Sequence, residues 1–353
     1  MTLDELRQRI NDADFEIVAA LKRRAEVARE IGQLKADEGR AAFAADREVE
    51  VLRRIQAQDA APLSPSQLKA IFVEIISACR ALEQPLRVAY LGPELTFSHQ
   101  AVLARFGQSS IPVPAPSVFD AISAVAVGQA DLALVPVENS SQGPIGETFD
   151  TLVEGDLPVT GEYYLPIRHT LFGRGALEQV EVVYSHPQPL AQCRRWIREN
   201  LPRAQLIPTS STATAADLAA EADGRAAIAP PGAGQAKGLR VLAEDIQDDA
   251  WNRTRFWIVG GPKPGPTGRD KTSLVFATPH RAGALHAALQ PFRDFGASMT
   301  MIHSRPLRGR TWEYLFFIDF QGHVESPECA PVVTALNELC PMLKVLGSYP
   351  EAD

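Results

Sequence analysis

Apolar or small residues recur at Leu3, Leu6, Ile10, Ala13, Ile17, Ala20, Val27, Ile31 and Leu34, in steps of three, four and seven. Side chains spaced this way share one face of an α-helix, so a single helix of roughly 45 Å follows at 1.5 Å per residue. Such a helix cannot bury its own stripe and needs partners, in a bundle or a dimer. The seam position between Ala20 and Val27 is Arg24, and an unpaired charge there costs roughly several kcal/mol. Lys35 lies almost three whole turns beyond Arg24 and faces the same way. Arg7 points about a quarter turn off that face and reaches a neighbouring chain more easily than its own.

A second helix is predicted from about Asp46, carrying Arg47, Glu48, Val49, Leu52 and Ile55. A third starts at Ser64-Pro65, an N-cap followed by proline at the first helical position. Its seam is Leu68, Phe72, Ile75, Cys79 and Leu82, with Glu83 one turn after Cys79. Cations on these faces either snorkel to solvent or pair with Glu48 and Glu83, or they line a cavity for a small dianion.

Leu6-Arg7-x-x-Ile10, Arg23-Arg24, Ile31-Gly32-x-x-Lys35, Arg47-Glu48 and Ile75-Ile76-Ser77-Ala78-Cys79-Arg80-Ala81-Leu82-Glu83 resemble the all-helical chorismate mutase family. The resemblance implies an intertwined helical dimer that rearranges chorismate to prephenate without nucleophile or cofactor. Such catalysis is orientation plus stabilisation of charge on the breaking ether oxygen. It implies that Arg7 of the partner subunit, Arg24 and Arg47 hold the two carboxylates. Lys35 would donate to the ether oxygen and Glu48 would take the substrate hydroxyl. Ala44 stands where some members carry an aspartate, and Glu83 where some carry glutamine. Glu83 donates to the same oxygen only when protonated, which predicts an acid-shifted mutase optimum.

Gln84-Pro85 ends the third helix. Strands are expected at 86–91, 131–137, 180–184, 204–208, 225–229 and 255–260, and helices near 97–106, 117–128, 188–200 and 212–222. This alternation predicts an α/β unit whose ligand sits at the carboxyl ends of the strands. Polar clusters fall at those ends: Glu138-Asn139-Ser140-Ser141, Ser185-His186-Pro187-Gln188 with Gln192, and Ser210-Ser211-Thr212. Any one of them serves equally well as an N-cap; all of them on one crevice suit an anionic substrate held by neutral donors and helix N-termini. Asn252-Arg253-Thr254-Arg255-Phe256 reads alone as a loop-to-strand junction, and His186, followed by proline, as structural.

Leu91-Gly92-Pro93-Glu94-x-Thr96-Phe97-Ser98, Val135-Pro136-Val137-Glu138-Asn139-Ser140, Tyr184-Ser185-His186-Pro187-Gln188-x-Leu190-x-Gln192-Cys193 and Asn252-x-Thr254-Arg255-Phe256 resemble the prephenate dehydratase family. That implies a two-lobed fold like the type II periplasmic binding proteins, with the site between lobes. It implies loss of carbon dioxide and a ring hydroxyl from prephenate, assisted by Thr254. Asn139, Ser140, Ser185, Gln192 and Thr212 would bind substrate, with Arg255 as a carboxylate partner. Members usually carry glycine where this chain has Leu95, so either the backbone there suits leucine or turnover suffers.

A linker, Pro262-Lys263-Pro264-Gly265-Pro266-Thr267-Gly268, follows. Beyond it the pattern predicts strand 272–278, helix 283–295, strands 299–305 and 313–320, a helix near 327–339 and strand 343–346. This is the β-α-β-β-α-β order of a ferredoxin-like fold, and it resembles an ACT domain. Gly283-Ala284-Leu285-His286 and Ser304-Arg305-Pro306, preceded by His303 where glutamate is usual, are similar to the phenylalanine-binding motifs of dehydratases. Phenylalanine feedback through Gly283, Ala284, Leu285, His303, Ser304, Arg305 and Pro306 is the implied regulation.

The expected organisation is therefore a helical domain at 1–84, a two-lobed α/β domain at 86–262 and an α+β domain at 272–349, in a dimer or larger homo-oligomer. A net charge of -8 argues against nucleic-acid or membrane-surface binding, which needs clustered Lys and Arg. The scattered Cys79, Cys193, Cys329 and Cys340 lack zinc or redox spacing and suit a reducing cytoplasm, so no metal or cofactor is expected. Two alternatives stay open: a dehydratase with a silent mutase segment, and a non-catalytic sensor built from the same cleft.

Overall fold

The structure, a computed structural model, describes residues 1–41, 43–306 and 314–352. Helix α1 (Leu3–Asp37) opens on a Thr2–Glu5 capping box, which satisfies two of the orphan N–H groups of the first turn. Helices α2 (Ala45–Gln56) and α3 (Pro65–Glu83) follow, the latter capped by Ser64 and Gln67. Helix α1 packs chiefly on α3, and its stripe stays uncovered: Leu3, Ile10, Ile17 and Leu34 are 62, 61, 55 and 62% exposed. No described helix is long and apolar enough to cross a membrane.

Two lobes come next. The first runs β1 (Arg87–Leu91), α4 (Phe97–Phe106), β2 (Ile111–Ala115), α5 (Val118–Ala126), β3 (Leu132–Asn139), β4 (Gly143–Pro144), α6 (Gly146–Glu154) and β5 (Val159–Pro166). The second runs β6 (Thr170–Gly173), β7 (Val182–Ser185), α7 (Pro187–Gln192), α8 (Arg194–Asn200), β8 (Gln205–Pro208), α9 (Thr212–Ala220), β9 (Arg225–Ala229), α10 (Pro231–Ala236) and β10 (Arg240–Ala243). Strand β11 (Arg253–Val259) then returns to the first lobe. The first sheet has the order β2-β1-β3-β11-β5 and the second β10-β6-β9-β7-β8. Parallel pairs lie at β2-β1-β3 and at β8-β7-β9, while β11 runs antiparallel to both its neighbours. The chain thus crosses between lobes twice, after β5 and before β11.

The C-terminal unit, β12 (Asp270–Ala277), α11 (Ala284–Asp294), β13 (Met299–Pro306), β14 (Tyr314–Gln321), α12 (Ala330–Leu339) and β15 (Met342–Pro350), is ferredoxin-like with strand order β13-β14-β12-β15. Glu313, expected to open its third strand, lies outside the described residues. Strand β15 lies close on β5: a Cβ at Gly347 would stand 1.9 Å from the Val159 carbonyl oxygen, so only glycine permits that approach.

Several elements differ from expectation. The 188–200 helix is two helices broken at Cys193, because Asp248 from the second crossover enters the break. Its N–H donates to the Gln192 carbonyl at 2.7 Å, and its carboxylate accepts from the Arg195 and Trp196 N–H groups at 2.8 and 3.1 Å. Strand β2 holds two prolines, tolerable because it is an edge strand. Strands β6 and β10 have four residues each, too few to show an alternation. Strand β5 was hidden by Glu162, a carboxylate that reads as surface and is buried.

Leu95 sits at φ 64°, in the left-handed region, which costs a residue with a Cβ roughly 1–2 kcal/mol. Its side chain offsets part of that by packing from the first lobe onto the second-lobe cluster of Phe172, Tyr184 and Ala233. Leu95→Ala keeps the strain and loses the packing, whereas Leu95→Gly loses both. The glycine variant should therefore be the more stable of the two by about 1 kcal/mol in urea unfolding; the reverse order would contradict the strain.

Candidate active sites

The lobes enclose a cleft of about 440 Å³. Strand ends and helix N-termini supply Thr96, Asn139, His186, Gln188, Ser211, Thr212 and Thr254 to its wall, and the first crossover and the last residue of α7 add His169 and Gln192. Among the described residues no lysine or arginine lines it. Thr96 and Ser211 cap α4 and α9 with their hydroxyls, and the His186 ring caps α7, in keeping with its structural reading. An anion in the cleft meets neutral donors and the positive ends of helix dipoles.

Thr254 and Asn139 are directly opposed on β11 and β3. Asn139 Nδ2 donates to Thr254 Oγ1 at 2.9 Å and to Asn252 Oδ1 at 2.9 Å, while its Oδ1 accepts from the Ser141 N–H at 3.0 Å. Because the Thr254 oxygen accepts from an amide, its own hydrogen is left to donate elsewhere. A buried hydroxyl held this way serves as a proton donor or relay without ionising. The loop-to-strand junction is present, with the strand beginning at Arg253, two residues earlier than expected.

Other expected residues lie elsewhere. Arg255 follows Thr254 on a strand and so points to the opposite face. It is buried among Glu162, Asp319 and Tyr349: Nε reaches Glu162 Oε2 at 2.8 Å, Nη2 reaches the Tyr349 hydroxyl at 3.1 Å, and Nη1 pairs with Asp319. It is no carboxylate partner within the cleft. Ser185 is fully buried with its hydroxyl donating to the Ile228 carbonyl at 2.6 Å and does not line the cleft. Ser140 is exposed and accepts from the Arg253 N–H at 3.0 Å, outside the wall. His169, missed at sequence level, lies in the wall with Nε2 2.7 Å from Gln192 Oε1.

In the helical segment Lys35 Nζ and Glu83 Oε2 stand 3.3 Å apart, both partly buried, and Arg24 Nη1 lies 3.5 Å from the Ile75 carbonyl. A Cβ at Gly32 would meet Glu83 at 2.8 Å, so this glycine lets α1 and α3 bring that pair together. Glu48 is placed differently from expectation. Both of its oxygens are taken, one by Arg80 Nη1 at 2.7 Å and one by Arg105 of α4. Burial alone would raise its pKa, but Arg105 and Arg80 outweigh burial and hold it below the usual carboxylate value. Arg47 pairs with Glu50, and Arg7 with Asp4, both at the surface.

The expected regulatory residues divide by strand alternation. On β13, His303 and Arg305 face the first lobe while Ser304 and Pro306 are exposed. Arg305 grips Asp150 of α6 through Nε and Nη2, both at 2.8 Å, and the His303 ring packs edge-on against Phe149. Lys344 donates to the Leu152 and Val153 carbonyls at 2.9 and 3.1 Å, where a cation meets the negative end of α6. Gly283 caps α11 at φ 78° with open space beside it, next to Ala284 and Leu285.

Residues 6–84 match the model of the family described as chorismate mutase type II, and residues 88–264 match that of prephenate dehydratase. A bifunctional chorismate mutase/prephenate dehydratase of Neisseria gonorrhoeae is 42% identical over 99% of both chains. One of Aquifex aeolicus is 40% identical, covering 99% of this chain and 98% of that one. The crystal structure of a prephenate dehydratase of Arthrobacter aurescens in complex with L-Phe is 36% identical, with a TM-score of 0.70, over 76% of this chain and 91% of that chain. With one family matched by the helical segment and the other by the cleft, in that order along a full-length relative, the chain belongs to the bifunctional chorismate mutase/prephenate dehydratase family.

Proposed function

We propose that this chain rearranges chorismate to prephenate and converts prephenate to phenylpyruvate, with phenylalanine as feedback inhibitor. The observation that carries the reading is the Asn139–Thr254 pair in the cleft, which leaves a hydroxyl hydrogen free to donate. As the ring carboxylate of prephenate leaves as carbon dioxide, its bonding electrons flow through the ring and expel the hydroxyl group. Thr254 donates a hydrogen bond to that departing oxygen and relays to it a proton drawn from solvent, so that it leaves as water and the threonine hydroxyl stays un-ionised. Gln192, Thr212 and the helix N-termini bind the substrate anion. Purified chain supplied with prephenate should release phenylpyruvate; no turnover of prephenate would contradict the reading.

For the first reaction, Lys35 donates to the ether oxygen, with Arg24 on a carboxylate and Glu83 beside Lys35. Arg7 of the partner subunit and Arg47 complete the cavity in a dimer, for which the uncovered stripe of α1 provides the surface. The commitment of Glu48 to Arg80 and Arg105 favours a second reading, a dehydratase with a silent mutase segment.

The domains we assign are 1–84, 86–262 and 272–349, the last an ACT domain. Phenylalanine would bind at Ser304 and Pro306 on the exposed side of β13 and at Gly283, Ala284 and Leu285 at the start of α11. His303 and Arg305 relay that binding to α6. Calorimetry without heat at millimolar phenylalanine, together with unaltered turnover, would overturn this regulation. Four free buried cysteines support a cytoplasmic setting.

A further inference from the structure

The crossover from β5 to β6 is three residues long, Ile167, Arg168 and His169. Buried and exposed positions alternate through it, with Leu165, Ile167 and His169 inward and Pro166 and Arg168 outward. The second crossover pins it in place. The Ile167 N–H donates to the Asn252 carbonyl at 2.8 Å, the Ile246 N–H to the His169 carbonyl at 3.0 Å, and the His169 N–H to Gln247 Oε1 at 2.9 Å. With both backbone groups of His169 bonded, the direction of its Cα–Cβ bond is fixed.

That ring is fully buried and wedged between the lobes. It meets Phe97 of the first lobe edge-on, with centroids 5.3 Å apart. On the other side Nε2 lies 2.7 Å from Oε1 of Gln192, on α7 of the second lobe. Two buried atoms of this pair lack a hydrogen-bond partner among the described residues, His169 Nδ1 and Gln192 Nε2. Burial also holds the imidazole below its ordinary pKa, with the bond to Gln192 opposing in part, so the ring carries one proton near neutrality.

Where that proton sits decides how the amide is turned. With the proton on Nε2, the ring donates to Gln192 Oε1 and the amide presents its two N–H donors away from the contact. With the proton on Nδ1 and the amide reversed, Gln192 Nε2 would instead donate to the ring. The reversed amide would also turn an acceptor toward an anionic substrate. Charge complementarity with an anionic substrate therefore selects the first arrangement.

We propose that His169 is a positioning residue for the dehydratase reaction: its Nε2–H fixes the Gln192 amide so that the Gln192 Nε2 donors meet the anionic substrate in the cleft that Thr254 also lines. The proposal rests on the dehydratase reading of that cleft. Donors that hold the anion equally in the ground and transition states act on KM rather than kcat. His169→Phe keeps the ring and its contact with Phe97 but removes the donor, whereas His169→Gln supplies an amide donor.

The experiment measures prephenate turnover by the full chain in the wild type, His169→Phe, His169→Gln, Gln192→Ala and the His169→Phe/Gln192→Ala double variant. His169→Phe should raise KM about tenfold or more, the scale of a lost hydrogen bond to a charged ligand, with kcat much less affected. His169→Gln should recover part of that loss. In the Gln192→Ala background His169→Phe should add nothing further. An active wild type with unchanged KM in His169→Phe, or equal losses in both backgrounds, would overturn the positioning role alone. A His169→Phe chain that fails to fold leaves the decision to His169→Gln, for which a loss as large as that of Gln192→Ala would count against the proposal. A wild-type chain that leaves prephenate untouched would instead overturn the dehydratase reading and the role with it.

Discussion

Thr254→Val is expected to lower kcat for prephenate conversion by about 10²–10⁴-fold, the usual contribution of a positioned proton donor. Valine matches threonine in shape, so the strand pairing of β11 with β3 and β5 should persist. KM should move little, because the donor acts on the oxygen that leaves and not on the anion that binds. The rearrangement of chorismate, assigned to Lys35 on distant helices, should be unaffected. Assay of both steps on one preparation checks this, and equal losses in the two activities would point to misfolding instead. Asn139→Ala should give a smaller loss, since it frees the Thr254 oxygen without removing its hydrogen.

Arg255→Met should cost stability on the scale of roughly 3–5 kcal/mol, as removal of one partner from a buried ion pair does. The change strands Glu162 and Asp319, both with fully buried side chains, leaving Lys271 alone with Glu162 at 2.8 Å. Urea unfolding would measure the loss, and adding Glu162→Gln should recover part of it. The pH dependence follows from Glu162. Burial alone would raise its pKa, but Arg255 and Lys271 outweigh burial and hold it below its ordinary value of 4.5. A folded-state pKa below the unfolded one means the folded state binds fewer protons. The contribution is complete above that ordinary value and is lost as pH falls through the lowered one. The junction between β11 and the C-terminal sheet should therefore survive mild acid in the wild type, and Arg255→Met should unfold at higher pH. An unchanged acid transition would show that Arg255 does not hold Glu162.

The two neighbours also explain which parts of the site were legible. Asn139, Thr212 and Thr254 lie at strand ends or a helix start, where local pattern alone places a side chain near a crevice, whereas Gln192, expected in the first turn of a longer helix, is the last residue of α7. Arg255 was assigned to the same crevice because it adjoins Thr254. Strand alternation turns it over, and its partners Asp319 and Tyr349 arrive only with β14 and β15, far along the chain. Ser185 failed for a related reason: a strand-end serine suggests a ligand, but its hydroxyl is consumed by the carbonyl of Ile228 on β9. Glu48 likewise finds a partner, Arg105, that belongs to a different part of the chain. His169 carried a usable signal, the alternation of Leu165, Ile167 and His169, which shows only once β5 is recognised. Leu95 was visible as a departure, and its φ of 64° shows that the backbone has kept the left-handed geometry a glycine would favour.

The most direct measurement follows chorismate, prephenate and phenylpyruvate separately in Lys35→Ala and Thr254→Val preparations of the full chain. With the two reactions divided between these residues, Lys35→Ala should leave chorismate largely unconsumed yet still convert added prephenate, whereas Thr254→Val should consume chorismate and accumulate prephenate, and this division is what the comparison tests. Phenylpyruvate formed at the wild-type rate by Thr254→Val, or chorismate consumed at the wild-type rate by Lys35→Ala, would contradict it.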